Sequence, residues 1–202
     1  KTVKDKQHNV LIIGAGLAGL YAALSLAPRP VTILSPKPLG FDASSAWAQG
    51  GVAAAMDEGD TPEAHANDTV IAGDGIVDAD IATFVTAAAK EHVLELVEVG
   101  TPFDRTKDGG FVMSKEAAHS FARVVRVKGD QAGAAIMKTL VKEVSNTPSI
   151  TVLQGATALD LIVEEGQMRG VVVSVDDEEP FVIQAKAYLM AAGGAGSLFM
   201  KT

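Results

Sequence analysis

The feature that most limits what this chain can fold into is the uncharged run V-L-I-I-G-A-G-L-A-G-L at 10–20, where an apolar strand leads straight into three glycines and then a helix rich in alanine and leucine. Each glycine has its own task in such a turn. Gly14 permits the tight bend, Gly16 lets the backbone approach a phosphate, and Gly19 lets the helix lie close on the strand. Ala15, Leu17 and Ala18 complete the loop. The first helical turn carries N–H groups without intrahelical partners and the positive end of the helix dipole, so it attracts an anion. The pattern predicts a strand–turn–helix that holds a pyrophosphate. Residues 10–27 are also free of charge and close to the lower length limit of a membrane span. The three glycines argue for the strand and turn instead, and Pro28 and Pro30 end the helix. Neither a membrane span nor a secretory leader is expected.

Strand 10–13, helix 17–27 and strand 31–34 read as one βαβ unit. Residues 36–59 lack regular periodicity, yet Ala46, Trp47 and the apolar stretch 52–55 make them a segment expected to wrap a ligand. Thr61-Pro62-Glu63 predicts a helix over about 62–72, with a capping threonine, proline at the first position and an acid in the first turn. Asp78 or Asp80 caps the next helix, which runs to Val99 and stops at Gly100. Residues 101–129 read as irregular. A helix then runs from Asp130 to about Val144, with Ala134, Ala135, Met137 or Leu140, and Val141 on its apolar face.

From 150 the period changes to that of strands, at 151–153, 158–164, 170–176, 181–183 and 187–191. Turns at 165–167 and 176–180 suggest a small antiparallel β-meander over about 150–185. The last strand enters a second glycine turn, A-G-G-A-G at 192–196. The expected class is α/β: a Rossmann-like fold with a parallel sheet, flanking helices and that meander.

Charge and composition remove several functions. The chain has 25 acidic and 17 basic residues and a net charge of −8, which disfavours nucleic acid and anionic membranes as partners. It has no cysteine, so disulfides, thiol catalysis and thiolate metal sites are excluded, and a cytoplasmic location is consistent. His8, His65 and His92 read as surface or helix residues, and the four histidines have no ligand spacing, so no metal site is expected. The acidic run 176–179 reads as a solvated hairpin tip. Lys1 in place of a start methionine, and Thr202 just after a glycine turn, suggest a processed or cropped chain.

The run S-S-A-W-A-Q-G-G at 44–51, taken with G-A-G-L-A-G at 14–19, E-A-A-H-S at 116–120 and A-A-G-G-A-G at 191–196, resembles the flavoprotein-subunit superfamily of fumarate reductase and succinate dehydrogenase. Within it the chain is similar to the L-aspartate oxidase family. The likeness covers nearly all 202 residues but only the N-terminal part of the family's usual length. The capping domain and C-terminal flavin contacts would lie beyond Thr202.

The resemblance implies FAD, with the residues at 14–19 on the pyrophosphate and Ser35 and Lys37 near the adenosine. Ser44, Ser45, Ala46, Trp47, Ala48, Gln49, Gly50 and Gly51 would run beside the isoalloxazine. Gly50 and Gly51 would clear space for the flat ring, and Ala192, Gly193 and Gly194 would close the site. Two positions depart from the pattern. Ser35, followed by Pro36 and Lys37, stands where many relatives carry a ribose-binding acid, and Ala192 stands where threonine is usual. Ser44 stands where covalently flavinylated relatives carry histidine, which implies non-covalent FAD.

Glu116 distinguishes the branches. Dicarboxylate oxidoreductases of the superfamily tend to place a neutral glutamine there, whereas a carboxylate suits the α-ammonium of L-aspartate and repels a bare dicarboxylate. The implied reaction is oxidation of L-aspartate to iminoaspartate with O2 or fumarate as acceptor. Its product would pass to quinolinate synthase in NAD biosynthesis. A dicarboxylate flavoprotein and a non-catalytic FAD-binding fragment are the alternatives. His119 lines the site or bonds backbone, and Arg123 and Arg126 either supply positive charge near the flavin or form a solvated pair around a valine strand.

Overall fold

The computed structural model describes residues 8–41, 43–176 and 178–194. Lys1, Asp177, Ala195, Gly196 and Thr202 lie outside them. The chain divides into two compact units, one from residues 1–46 and 140–202 and the other from 47–139.

The first unit is built on a four-stranded parallel sheet of β1 (His8–Ile13), β2 (Val31–Ser35), β6 (Ile150–Gln154) and β10 (Ala185–Met190), in the order β10-β1-β2-β6. Val10 pairs with Val31 and Ala187, and Ile13 with Leu34 and Met190. Residues 10–13 are buried on both faces of the sheet, which is why this strand is a continuous apolar run rather than an alternating one. Leu11, Ile13 and Leu34 pack with Ala156, Val171, Val173 and Ile183 from a three-stranded antiparallel meander. Its strands are β7 (Ala156–Glu164), β8 (Gln167–Val175) and β9 (Phe181–Ile183). The meander therefore begins at Ala156, because Ile150–Gln154 pairs in parallel with β2.

Helix α1 (Leu17–Ser25) is two residues shorter than its apolar pattern. The Ala27 N–H bonds the Leu24 carbonyl three residues back, a tightened last turn, and Pro28 has no N–H to continue the ladder.

In the second unit, helices α2 (Pro62–Ala72) and α3 (Ala79–Glu98) follow their sequence signals closely. Thr61 Oγ1 accepts from the Ala64 N–H, and Asp78 Oδ1 accepts from the N–H groups of Asp80 and Ile81. Gly100, at φ +101°, ends α3, and the Thr101 N–H reaches back to the Leu96 carbonyl. Residues 101–129 are not wholly irregular. β5 (Val124–Arg126) pairs with β4 (Met113–Ser114) on one side and β3 (Gly51–Ala53) on the other. Strands of two or three residues are too short to show a period of two.

Helix α4 (Ala132–Asn146) starts later than Asp130, after Lys128 and Gly129 take left-handed conformations. Its buried face is Ala132, Ile136, Met137, Leu140 and Val144. Ala134 is exposed, so the buried stripe is offset from the expected one.

Candidate functional site

In the first unit the carboxyl ends of β1, β2 and β10 meet where the chain leaves β1 for β2 on one side while β10 lies on the other. That reversal of strand order is where open α/β sheets hold their ligands. The Gly14 N–H donates to the Leu34 carbonyl at 3.0 Å and the Ala191 N–H to the Ile13 carbonyl at 2.8 Å, which closes the turn against both neighbouring strands. Gly14 has φ +113°, and a Cβ there would overlap the Ala191 carbonyl. A Cβ at Gly19 would overlap the Gly14 carbonyl, so α1 can sit on the turn only because residue 19 has no side chain. Gly16 differs from both. A Cβ there would meet only Ser45 Oγ, at 3.6 Å. What its missing side chain leaves open is the cleft.

The cleft encloses about 190 Å³ and is lined by Gly14, Ala15 and Gly16, the β2 end at Ser35 to Lys37, Ser44 and Ser45, and Ala191 to Gly193. Complete small-molecule sites enclose roughly 300–1,000 Å³, so this one suits part of a dinucleotide, its phosphates and a neighbouring sugar. Gly16 is the N-cap of α1 and offers no capping side chain. Ser45 Oγ accepts from the Leu17 N–H at 3.2 Å, which ties the 44–47 segment to the helix start. A helix end of this kind, opening on a glycine-lined cleft, fits a phosphate group. Ser35 is buried, and its hydroxyl donates to the Lys37 carbonyl at 2.7 Å. Its oxygen can then accept a hydrogen bond but has no proton left to donate.

The residues expected beside a flat ring divide. Ser44 and Ser45 line the cleft, within a short 3-10 helix, Ser44–Trp47. Trp47 is 79 % exposed, Ala48 and Gln49 are exposed, and Gly50 turns at φ +89° with open space around it. Gly51 has a structural reason of its own, since a Cβ there would overlap the Val125 carbonyl of β5. The space its missing side chain leaves is filled by sheet pairing. Leu17, Ala18, Gly19, Ala46 and Gly194 are not part of the cleft lining.

In the second unit Glu116 is exposed on a turn that follows β4, and the His119 N–H closes that turn onto the Glu116 carbonyl at 3.0 Å. Ser114 Oγ donates to Glu116 Oε1 at 3.2 Å. Behind the turn Arg123 is fully buried, so the solvated pair that the sequence allows is not what forms. Its Nε and Nη2 donate to the two carboxylate oxygens of Asp60, and Nη1 donates to Asp68 Oδ2, all at 2.8 Å. Nη1 also lies 3.2 Å from His119 Nδ1.

Asp68 in turn accepts from the Ser120 N–H and Oγ, both at 2.7 Å. The hydrogen bonds from Ser120, with that of Arg123 behind them, lower its pKa from 3.8 to about 2. His65 is buried on α2, not at the surface, with its ring 5.4 Å from that of His119. Burial first, then the nearby charges of Arg123 and His119, push its pKa below 6.5, so it is neutral at pH 7. Asp60, Asp68 and Ser120 are absent from the sequence-derived set. Their signal is that Asp68 shares the inward face of α2 with His65 and Ala66, where an acid needs a buried partner.

Among the described residues no group of three or more histidine, cysteine or acidic side chains is placed to hold a metal, and no helix is long and apolar enough to cross a membrane.

Residues 9–202 match the family described as FAD binding domain. The chain is 44 % identical over 192 residues to an L-aspartate oxidase of Mesorhizobium japonicum, covering 95 % of this chain and 37 % of that protein. It is 46 % identical over 196 residues to an L-aspartate oxidase of Caulobacter vibrioides, covering 95 % and 38 %. The chain thus spans less than two-fifths of the length of these curated relatives. Among solved structures it superposes on an E. coli quinol fumarate reductase with a TM-score of 0.89 at 29 % identity, over 96 % of this chain and 34 % of that one.

Proposed function

The chain belongs to the FAD binding domain family, and from that premise we propose that it is the cofactor-holding part of an L-aspartate oxidase. Bound FAD supplies the two-electron redox chemistry that amino-acid side chains lack. The residues of this chain bind, orient and select. Gly14, Ala15 and Gly16 with the start of α1 receive the pyrophosphate, Ser35 and Lys37 stand at the adenosine end, and Ala192 and Gly193 border the same cleft. Ser44 to Gly51 accompany the flavin, and Ser44, in the place of a flavin-linking histidine, leaves the cofactor non-covalently held.

Substrate choice rests on Glu116. Its carboxylate is exposed at a turn and held by Ser114, ready to accept a hydrogen bond from the α-ammonium of L-aspartate. The overall reaction takes two hydrogens from L-aspartate to give iminoaspartate. The electrons pass to O2, giving hydrogen peroxide, or to fumarate. Iminoaspartate then feeds quinolinate synthase in NAD biosynthesis, in the cytoplasm.

The observation that carries this reading is a carboxylate at position 116 in a chain of 44–46 % identity to L-aspartate oxidases. The likeness to the fumarate reductase structure favours a second reading, a dicarboxylate flavoprotein, and Glu116 would repel such a substrate. Steady-state oxidation of L-aspartate by the whole gene product and its Glu116→Gln variant separates the two. Loss of one charge-assisted hydrogen bond, about 1.5–3 kcal/mol, is expected to raise the aspartate KM about 10- to 100-fold with FAD content unchanged. An unchanged KM would remove Glu116 from the substrate site.

A further inference from the structure

We propose that Asp68 is a positioning residue for Glu116, acting through Ser120. The inference rests on the substrate role given to Glu116 above. Asp68 is buried on the inward face of α2, eight places along the chain from Asp60, and both of its oxygens are engaged. One takes the Ser120 hydroxyl; the other takes the Ser120 N–H and Arg123 Nη1. The N–H and the hydroxyl of Ser120 are thus both fixed on a helix, which sets the direction in which the chain leaves the Glu116 turn.

The other end of the same Arg123 fork is locked on Asp60 by two parallel bonds, a geometry that fixes the guanidinium plane as well as its distance. Nη1 also touches His119, whose N–H closes the turn onto Glu116. The turn is therefore braced at His119 and at Ser120, while Ser114 holds the Glu116 carboxylate from the β4 side. Asp60 alone is enough to pair Arg123. The second carboxylate goes beyond charge balance, and what it adds is the clamp on Ser120.

This clamp predicts a loss of binding confined to ligands that bond Glu116. Asp68→Asn keeps the shape but removes the charge: its Nδ2 can face only the Ser120 hydroxyl, which must turn from donor to acceptor, and the bonds from the Ser120 N–H and Arg123 lose their ionic partner. Ser120→Ala removes one hydrogen bond and keeps Asp68, so it stays informative if the Asn variant fails to fold. The readouts, in the whole gene product, are the KM for L-aspartate and the competitive Ki for succinate, which lacks the ammonium.

Asp68→Asn is expected to raise the aspartate KM about tenfold and Ser120→Ala about threefold, each with the succinate Ki unchanged or lowered, since a displaced Glu116 repels the dicarboxylate less. In the Glu116→Gln background neither change is expected to add further loss. Aspartate KM and succinate Ki rising together, or full additivity with Glu116→Gln, would overturn the proposal and leave Asp68 a purely structural residue. If Glu116→Gln raises KM and the two clamp variants do not, only the clamp fails. If Glu116→Gln itself has no effect, the substrate reading fails with it.

Discussion

Gly16 and Gly19 lie three residues apart in one loop, yet alanine should act on them in different ways. At Gly16 the backbone has φ −78°, which any residue adopts, and a methyl would contact only Ser45 Oγ at 3.6 Å. The fold loses little: glycine to alanine at an N-cap is worth up to about 1 kcal/mol. In a domain of this size that lowers the midpoint of thermal unfolding by about 2–4 °C. The methyl, however, stands in the cleft where a phosphate must approach the backbone. Losing one charge-assisted hydrogen bond of about 1.5–3 kcal/mol weakens FAD binding about 10- to 100-fold. At Gly19 the methyl overlaps the Gly14 carbonyl, a backbone atom that cannot swing aside. Overpacking of that kind costs about 1–3 kcal/mol. The corresponding fall in the midpoint is about 2–12 °C. Circular dichroism of the cofactor-free proteins gives the midpoints, and quenching of flavin fluorescence gives the affinities. Gly16→Ala binding FAD as tightly as wild type would refute the placement of the phosphates at α1.

Two further expectations concern the second unit. Asp68 has its pKa lowered from 3.8 to about 2, so its contribution to stability is complete above the unfolded value and is lost as pH falls from about 3.8 to about 2. The difference in thermal midpoint between wild type and Asp68→Asn should stay constant from pH 7 to about pH 5 and close below about pH 4; a gap that persists at about pH 2 would contradict the lowered pKa. Asp78→Ala removes the acceptor of two N–H groups at the start of α3, and a loss of about 0.5–2 kcal/mol in urea unfolding is expected with FAD affinity untouched.

The parts of the fold that were legible in the sequence are those with a strong local signal. Residues 10–20 specify strand, turn and helix together, because a buried parallel strand must be apolar on both faces and the turn admits glycine alone at position 14. Thr61 and Pro62 mark one helix start and Asp78 or Asp80 the other, of which Asp78 is the cap, since caps are side chains that act on their own backbone. What stayed hidden depends on distant partners. The pairing of Gly51–Ala53 with Val124–Arg126 joins segments more than seventy residues apart in strands too short to carry a pattern. The same is true of Gly51, where a Cβ would overlap the Val125 carbonyl of a strand far along the chain. Arg123 reads equally as a charge near the flavin or as half of a solvated pair, because nothing local announces the two aspartates that bury it. In the cleft, Gly14, Gly16, Ser35 and Ser45 are lining residues that motif and resemblance single out. That the Ser35 hydroxyl donates to the Lys37 carbonyl has no local signal.

The most direct test of the assignment is anaerobic absorbance of the whole FAD-loaded gene product near ~450 nm, the band of the oxidised flavin, on addition of L-aspartate or succinate. Bleaching by L-aspartate and not by succinate is the expected result. Bleaching by succinate and not by L-aspartate would contradict it, and would place the chain with the dicarboxylate flavoproteins despite the carboxylate of Glu116.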